Sequence, residues 1–313
     1  METTSLGRTG LKVSRICLGT MNFGPETEEA DAHRIMDRAV DAGINFFDTA
    51  NVYGWGENKG KTETIVGRWL AKGGRRDRVV LATKVYGAMY EGPNGGRLSA
   101  YHVRRACDDS LRRLQTDRID LYYAHFDDQD TPLEETLRAF DAVVEEGIVR
   151  HIAASNYSPE RLTAALELQR DLGLAEFTVL QPHYNLMERD FERTLLPIAE
   201  AWDLAVLPYY ALAKGFLTGK YRPGGDAVDS PRAEGARAYL DRGGAAVLSV
   251  LDEIATAHET TVAAVALAWL LAQRRIVAPI ASARTVEQLG QILPAANLKL
   301  EPDEIDRLSA AAG

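Results

Sequence analysis

Only two of the 313 residues are cysteine, Cys17 and Cys107, and they offer neither a disulfide framework nor a CxxC metal pair. Among the six histidines there is no HExxH or paired-His spacing, and no P-loop occurs, so the sequence implies no metal. No long run of basic residues occurs, and 36 Lys+Arg stand against 45 Asp+Glu. This balance excludes nucleic acid and an anionic membrane surface as expected partners. The longest unbroken apolar stretch, Val262 to Ala272, is too short to span a bilayer, and METTSLGRTG lacks the charged-then-apolar pattern of a secretion signal. A cytoplasmic location is therefore expected. No low-complexity linker divides the chain, so one domain over residues 1–313 is expected, with nothing to specify an oligomeric state.

What is present is ample apolar material, 46% of residues, enough to exclude disorder. Val103, Ala106, Cys107, Ser110, Leu111 and Leu114 recur at helical spacing, which makes Cys107 a small core residue on an inward helix face. Eight short β-branched or aliphatic runs are each followed by a helix-period segment: Arg15–Leu18, Asn45–Asp48, Val79–Lys84, Asp120–His125, Val149–Ser155, Val179–Tyr184, Leu204–Tyr209 and Ile276–Ala281. The first seven begin about 25 to 41 residues apart, and the eighth follows a longer insertion. Serial βα units of this number predict an α/β fold, a (β/α)8 TIM barrel.

Ser158-Pro159 and Thr131-Pro132 are expected to start helices. Thr3–Leu6 and Leu11–Val13, flanking Arg8-Thr9-Gly10, predict an N-terminal β-hairpin capping the bottom of the barrel. Three connections exceed what packing needs: Tyr53–Lys61, Tyr86–Leu98 and Arg222–Leu240. All follow strands, on the face where barrels build active sites. The last, rich in Gly, Pro and Asp, reads either as a lid, loosely ordered until a ligand closes it, or as a solvated connector. Gly54-Trp55-Gly56 and Gly60 nearly spell GxGxxG, but the final spacing is one residue too long, so the segment is read as a loop.

The strand runs terminate in polar residues at one end only: Asp48, Lys84, His125, Ser155 with Asn156, Gln181 near the sixth end, and Tyr209. Neighbouring strands lie ~4.8 Å apart, so Asp48, Lys84 and His125 should share one mouth, with Tyr53 folding over them from its loop. A lysine ammonium beside a phenol stabilises phenolate and makes the phenol a better acid. A carboxylate keeps that lysine charged, and a histidine can bind or protonate a carbonyl oxygen. Together these groups describe general-acid catalysis at a carbonyl.

DTANVYG (Asp48–Gly54), the strand ending ATK at Lys84, IDLYYAH ending at His125, Ser155-Asn156 and GFLTGKY (Gly215–Tyr221) resemble the aldo-keto reductases. The resemblance extends from Ser5 to Leu289. It implies a (β/α)8 reductase, with extra C-terminal helices, that uses NADPH/NADP+ in preference to NADH and takes a small-molecule carbonyl or alcohol substrate. Asp48, Tyr53, Lys84 and His125 fall at the family's catalytic tetrad. Ser155, Asn156 and Gln181 would hold the nicotinamide carboxamide, Tyr209 would stack on the ring, and Thr20 and Met21 would flank its ribose. The loop Tyr210–Lys220, including Ala211, Leu212 and Lys214, would wrap the pyrophosphate. Ser282, Arg284 and Gln288 would face the adenosine end, Arg284 at the start of the final helix.

The chain departs from the family at Tyr210–Lys214, where Ser-Pro-Leu-Ala-Gly is usual, at Ser282 for Gly, and at Ile292 for an adenine-contacting Asn. Phe23, Trp55, Tyr86, Met89, Tyr90, Phe126 and Tyr210 are the expected substrate walls. Two rival readings remain: a Schiff-base barrel aldolase using Lys84, and a cofactor-binding regulatory subunit like the barrel β subunits of potassium channels.

Overall fold

A computed structural model describes residues 1–313. Eight parallel strands follow one another in chain order: β3 (Cys17–Gly19), β4 (Phe46–Asp48), β5 (Val80–Val85), β6 (Ile119–Ala124), β7 (Val149–Ser155), β8 (Phe177–Gln181), β9 (Ala205–Val206) and β10 (Ile280–Ala281). β10 returns beside β3, and Val277 N donates to Val206 O at 3.0 Å, closing the ring. The hairpin β1 (Thr3–Ser5) and β2 (Lys12–Ser14) is antiparallel and covers the N-terminal end. From it, Leu6 and Val13 insert into a cluster with Phe46, Ala82, Leu121, Tyr123, Ala153 and Val179, which forms the floor of the barrel interior.

The period-2 alternation of a strand explains how this interior becomes a site. Inward Phe46 is followed two residues later by Asp48, Ala82 by Lys84, Tyr123 by His125, Ala153 by Ser155, Val179 by Gln181, and Leu207 by Tyr209. One parity thus carries an apolar plug below and a polar ring above. The opposite parity, with Phe47, Leu81, Val85, Tyr122, Ile152 and Leu180, packs outward against the helices in the main core.

Several strands are shorter than the sequence pattern suggests, and proline is the reason. Pro182, Pro208 and Pro279 lack the N–H that a ladder needs. The sixth therefore runs Phe177–Gln181 and the seventh Ala205–Val206, with only an isolated bridge between His183 and Tyr209 beyond them. The eighth is reduced to Ile280–Ala281.

The helix Ala100–Leu114 buries Val103, Ala106, Cys107 and Leu114, and Ser99 Oγ accepts from His102 N at its start. Ser158 caps Pro159–Leu172 through Arg161 N. Thr131 does not cap Leu133–Glu145; its hydroxyl donates to Asp128 at 2.6 Å instead. At the C-terminal side the helices Gly244–Ala257, Val262–Ala272 and Pro302–Ala311 complete the shell. No single helix is long and apolar enough to cross a membrane.

Candidate active site

Lys84 lies fully buried at the end of β5, and its ammonium has three donors to place. All three are used: Nζ donates to Asp48 Oδ1 at 2.5 Å, to the Thr49 carbonyl at 2.8 Å and to the Tyr53 hydroxyl at 3.2 Å. The second oxygen of Asp48 accepts from Gln181 Nε2 at 3.0 Å. The His125 ring stands edge-on to Tyr53 at 6.1 Å, with its Nδ1 buried and unpaired.

Tyr53 reaches this group because its loop turns tightly. Gly54 adopts φ 110°, and a Cβ there would lie 2.0 Å from Asn58 O, so only glycine fits. The glycines around Trp55 shape this turn and a short 3-10 helix, Gly56–Asn58.

Burial governs the electrostatics. It raises the Tyr53 phenol above its ordinary pKa; Lys84 pulls it down, Asp48 pushes it up, and the net shift is upward. The expectation that Lys84 makes the resting phenol unusually acidic is thereby corrected, because desolvation of the phenolate outweighs the ammonium. Burial also depresses Lys84, but Asp48 and Tyr53 more than offset it and the ammonium is held charged. Burial raises Asp48 while Lys84 and Gln181 oppose the shift. His125 is pushed down to about 3 by burial and by the Lys84 charge, so its imidazole is neutral. The arrangement is a protonated phenol backed by a fixed cation, beside a neutral imidazole: a proton donor whose conjugate base is stabilised as it forms.

A cavity of about 470 Å³ extends from this group across the barrel top. Thr20, Met21, Ser155, Asn156, Gln181, Tyr209, Tyr210, Ala211, Leu212, Lys214, Lys220, Ser282, Arg284 and Gln288 all line it. Tyr209 OH donates to Asn156 Oδ1 at 2.8 Å, and its ring stacks on His183 at an interplanar angle of 10°. Behind it, Tyr210, Ala213 and Lys214 adopt φ of 50°, 48° and 57° before Gly215 at 91°. Left-handed residues at this density are strained and turn the chain sharply along the cavity wall.

At the far end Arg284 N donates to Gln288 Oε1 at 3.0 Å, and its guanidinium lies 3.5 Å from Glu26. Arg284 precedes the short helix Val286–Ile292, not the final one, Pro302–Ala311.

Of the expected substrate walls, Trp55, Phe126 and Tyr210 line the cavity, the first two 43% and 44% exposed at its mouth. Phe23 does not: it is fully buried in the outer core, its carbonyl accepting from Thr62 Oγ1. Tyr86 packs one layer back against Phe126 at 5.3 Å, and Met89 is also outside the lining. Tyr90 is turned away altogether, under the Arg105 guanidinium at 3.6 Å, where a cation–π contact holds it.

The segment Arg222–Leu240 forms a strap tied down at Arg222 and Arg232, with residues 223–227 between them exposed. Arg222 forms two hydrogen bonds to Asp252, the short helix Ala233–Arg237 follows, and Arg232 bonds Asn22 and Glu26 across the cavity. Glu26, Arg232 and Gln291 are lining residues the sequence reading did not single out. No local pattern marks them, since their significance lies in a meeting of segments some 200 residues apart.

A family model described as the Aldo/keto reductase family matches residues 15–312. The chain is 44% identical over 318 residues to "Uncharacterized oxidoreductase YrpG" of Bacillus subtilis (strain 168), covering 99% of this chain and 95% of that protein. It is 32% identical to a "Probable voltage-gated potassium channel subunit beta" of Oryza sativa subsp. japonica, covering 99% and 96%. It is 31% identical to "L-glyceraldehyde 3-phosphate reductase" of Escherichia coli (strain K12), covering 95% and 88%.

Proposed function

Because this chain belongs to the aldo/keto reductase family, we propose that it reduces an aldehyde or ketone to the alcohol, reversibly, with NADPH as its cofactor and Tyr53 as the general acid. The observation that carries this reading is the buried Lys84 ammonium, bonded at once to Asp48, Thr49 O and Tyr53 OH, with Asp48 and Tyr53 lining the cavity.

The cavity's chemistry fits a dinucleotide. Amide and hydroxyl groups of Ser155, Asn156 and Gln181 suit a carboxamide, the Tyr209 face suits a flat ring, and Lys220, Arg232 and Arg284 suit phosphate. When bound, the reduced nicotinamide supplies a hydride to the carbonyl carbon. Tyr53 delivers the balancing proton to the oxygen, Lys84 stabilises the phenolate left behind, and neutral His125 orients the carbonyl. Asp48, fixed through both oxygens, aims the ammonium.

Two features weigh against Lys84 as a Schiff-base nucleophile: its pKa is raised, and its three N–H bonds are all committed. Following NADPH absorbance against a panel of aldehydes, ketones and sugars tests the proposal. Oxidation of NADPH with a carbonyl supports it; tight binding without turnover across the panel would favour a regulatory subunit.

The pH dependence has a definite sign. Reduction needs the protonated phenol, whose pKa is raised, so its rate should hold through neutral pH and fall only as Tyr53 ionises. Alcohol oxidation needs phenolate and should rise over that same alkaline limb. A depressed His125 contributes no inflection near the ordinary imidazole value. Rate profiles in both directions check this; parallel profiles would remove Tyr53 from proton transfer.

The family resemblance assigns the 2′-phosphate to Arg284, which lines the cavity. A charge-assisted hydrogen bond contributes roughly 1.5 to 3 kcal/mol, or about tenfold to 150-fold in affinity, and NADH has no group to receive it. Ile292 adds no polar contact to the cavity wall. Arg284→Ala is expected to weaken NADPH binding by that factor and NADH binding far less. Equal losses in the two dissociation constants would show that Arg284 does not read the phosphate.

A further inference from the structure

The cationic end of the cavity contains one residue whose charge is of the wrong sign for a phosphate pocket. Glu26 lines the wall with Lys220, Arg232 and Arg284. Its carboxylate accepts from Arg232 at 3.1 Å and lies 3.5 Å from Arg284, with its own side chain only 15% exposed. The position is built: Glu26 N and Thr27 N both donate to Asn22 O, Gly24 N donates to Thr27 O, and Asn22 Oδ1 itself accepts from Arg232. Lys220 feels the same cluster, its pKa lowered by burial and then by Arg284 and Arg232, with Glu26 opposing.

Three cations and one carboxylate leave a formal surplus of two positive charges, which matches a phosphomonoester dianion. A pocket serving that group alone has no need of the carboxylate, however. A carboxylate only accepts hydrogen bonds, and so do phosphate oxygens when fully ionised; the two repel and compete for the same guanidinium groups. A ribose 2′-hydroxyl is the opposite case, a donor that an acidic side chain recognises in dinucleotide sites.

Resting on the reading that this cavity holds a nicotinamide dinucleotide with its adenosine end at Arg284, we propose that Glu26 is a specificity-determining residue that moderates the preference for NADPH. It accepts the 2′-hydroxyl of NADH and opposes the 2′-phosphate of NADPH. Arg284 and Glu26 thus read the same position with opposite sign, and their ion pair holds the site together when neither nucleotide is bound.

The test is binding, without turnover: dissociation constants of NADPH and NADH for the wild type, Glu26→Gln and Glu26→Asp, read by quenching of protein fluorescence. Glu26→Gln keeps the shape and removes the charge. It should tighten NADPH and weaken NADH, raising the ratio of the two constants by about tenfold or more. Glu26→Asp keeps the charge and should leave the ratio closer to that of the wild type. If both constants move together in Glu26→Gln, Glu26 serves only to anchor the strap through Arg232 and the proposal is overturned while the cofactor reading stands. If the wild type binds neither dinucleotide, the reading of the cavity fails and this inference with it.

Discussion

Tyr53→Phe is expected to lower kcat by roughly 10²-fold to 10⁴-fold, the range that a positioned general acid supplies. The substitution removes one hydroxyl, whose hydrogen-bond partner in the structure is Lys84 Nζ at 3.2 Å. The ammonium retains Asp48 and the Thr49 carbonyl, so no buried charge is left unpaired and folding should be nearly unaffected. NADPH should bind with near-normal affinity, because the residues that surround the cofactor's expected position lie on other strands and loops. Steady-state kinetics together with fluorescence titration separate the two quantities. Full turnover in Tyr53→Phe would remove Tyr53 from the acid role, and a lost affinity with kcat intact would make it a binding residue.

Lys84→Met should damage both stability and rate, for a different reason. Lys84 is fully buried and Asp48 almost so. Removing one member of a buried ion pair costs about 3 to 5 kcal/mol, since the other charge remains desolvated and uncompensated. The Asp48 carboxylate then keeps only Gln181 as a donor. Loss of the cation also leaves the developing phenolate unsupported, so kcat should fall by roughly 10² or more.

The double variant Asp48→Asn, Lys84→Met distinguishes the two effects. With both charges gone, most of the stability should return in urea or thermal unfolding, while kcat stays low. If Lys84→Met unfolds like the wild type, the pair is not the buried, coupled unit described above. If the double variant recovers activity along with stability, Lys84 acts through folding alone.

The alternation of apolar and polar residues in each strand was enough to mark, from the sequence, the barrel end at which the cavity lies. Six inward positions change from aliphatic or aromatic to Asp48, Lys84, His125, Ser155, Gln181 and Tyr209, and a change of that kind at one parity needs no tertiary information to be seen. Cap residues such as Ser158 and the hairpin at Arg8-Thr9-Gly10 were legible for the same reason: the interactions that specify them span only a few residues.

What the sequence left open depended on distance or on solvent. Phe23, Tyr86 and Tyr90 have the composition of a substrate wall, but loop geometry buries the first, sets the second behind Phe126 and turns the third toward Arg105. The sign of the Tyr53 shift follows from how completely water is excluded, which residue identity does not encode. Glu26 and Arg284 meet because the closed barrel brings its first and last strands together, and Arg232 joins them from the long connection after the seventh strand. Local periodicity therefore determined which residues face inward, and tertiary closure decided which of them meet and how strongly their charges are felt.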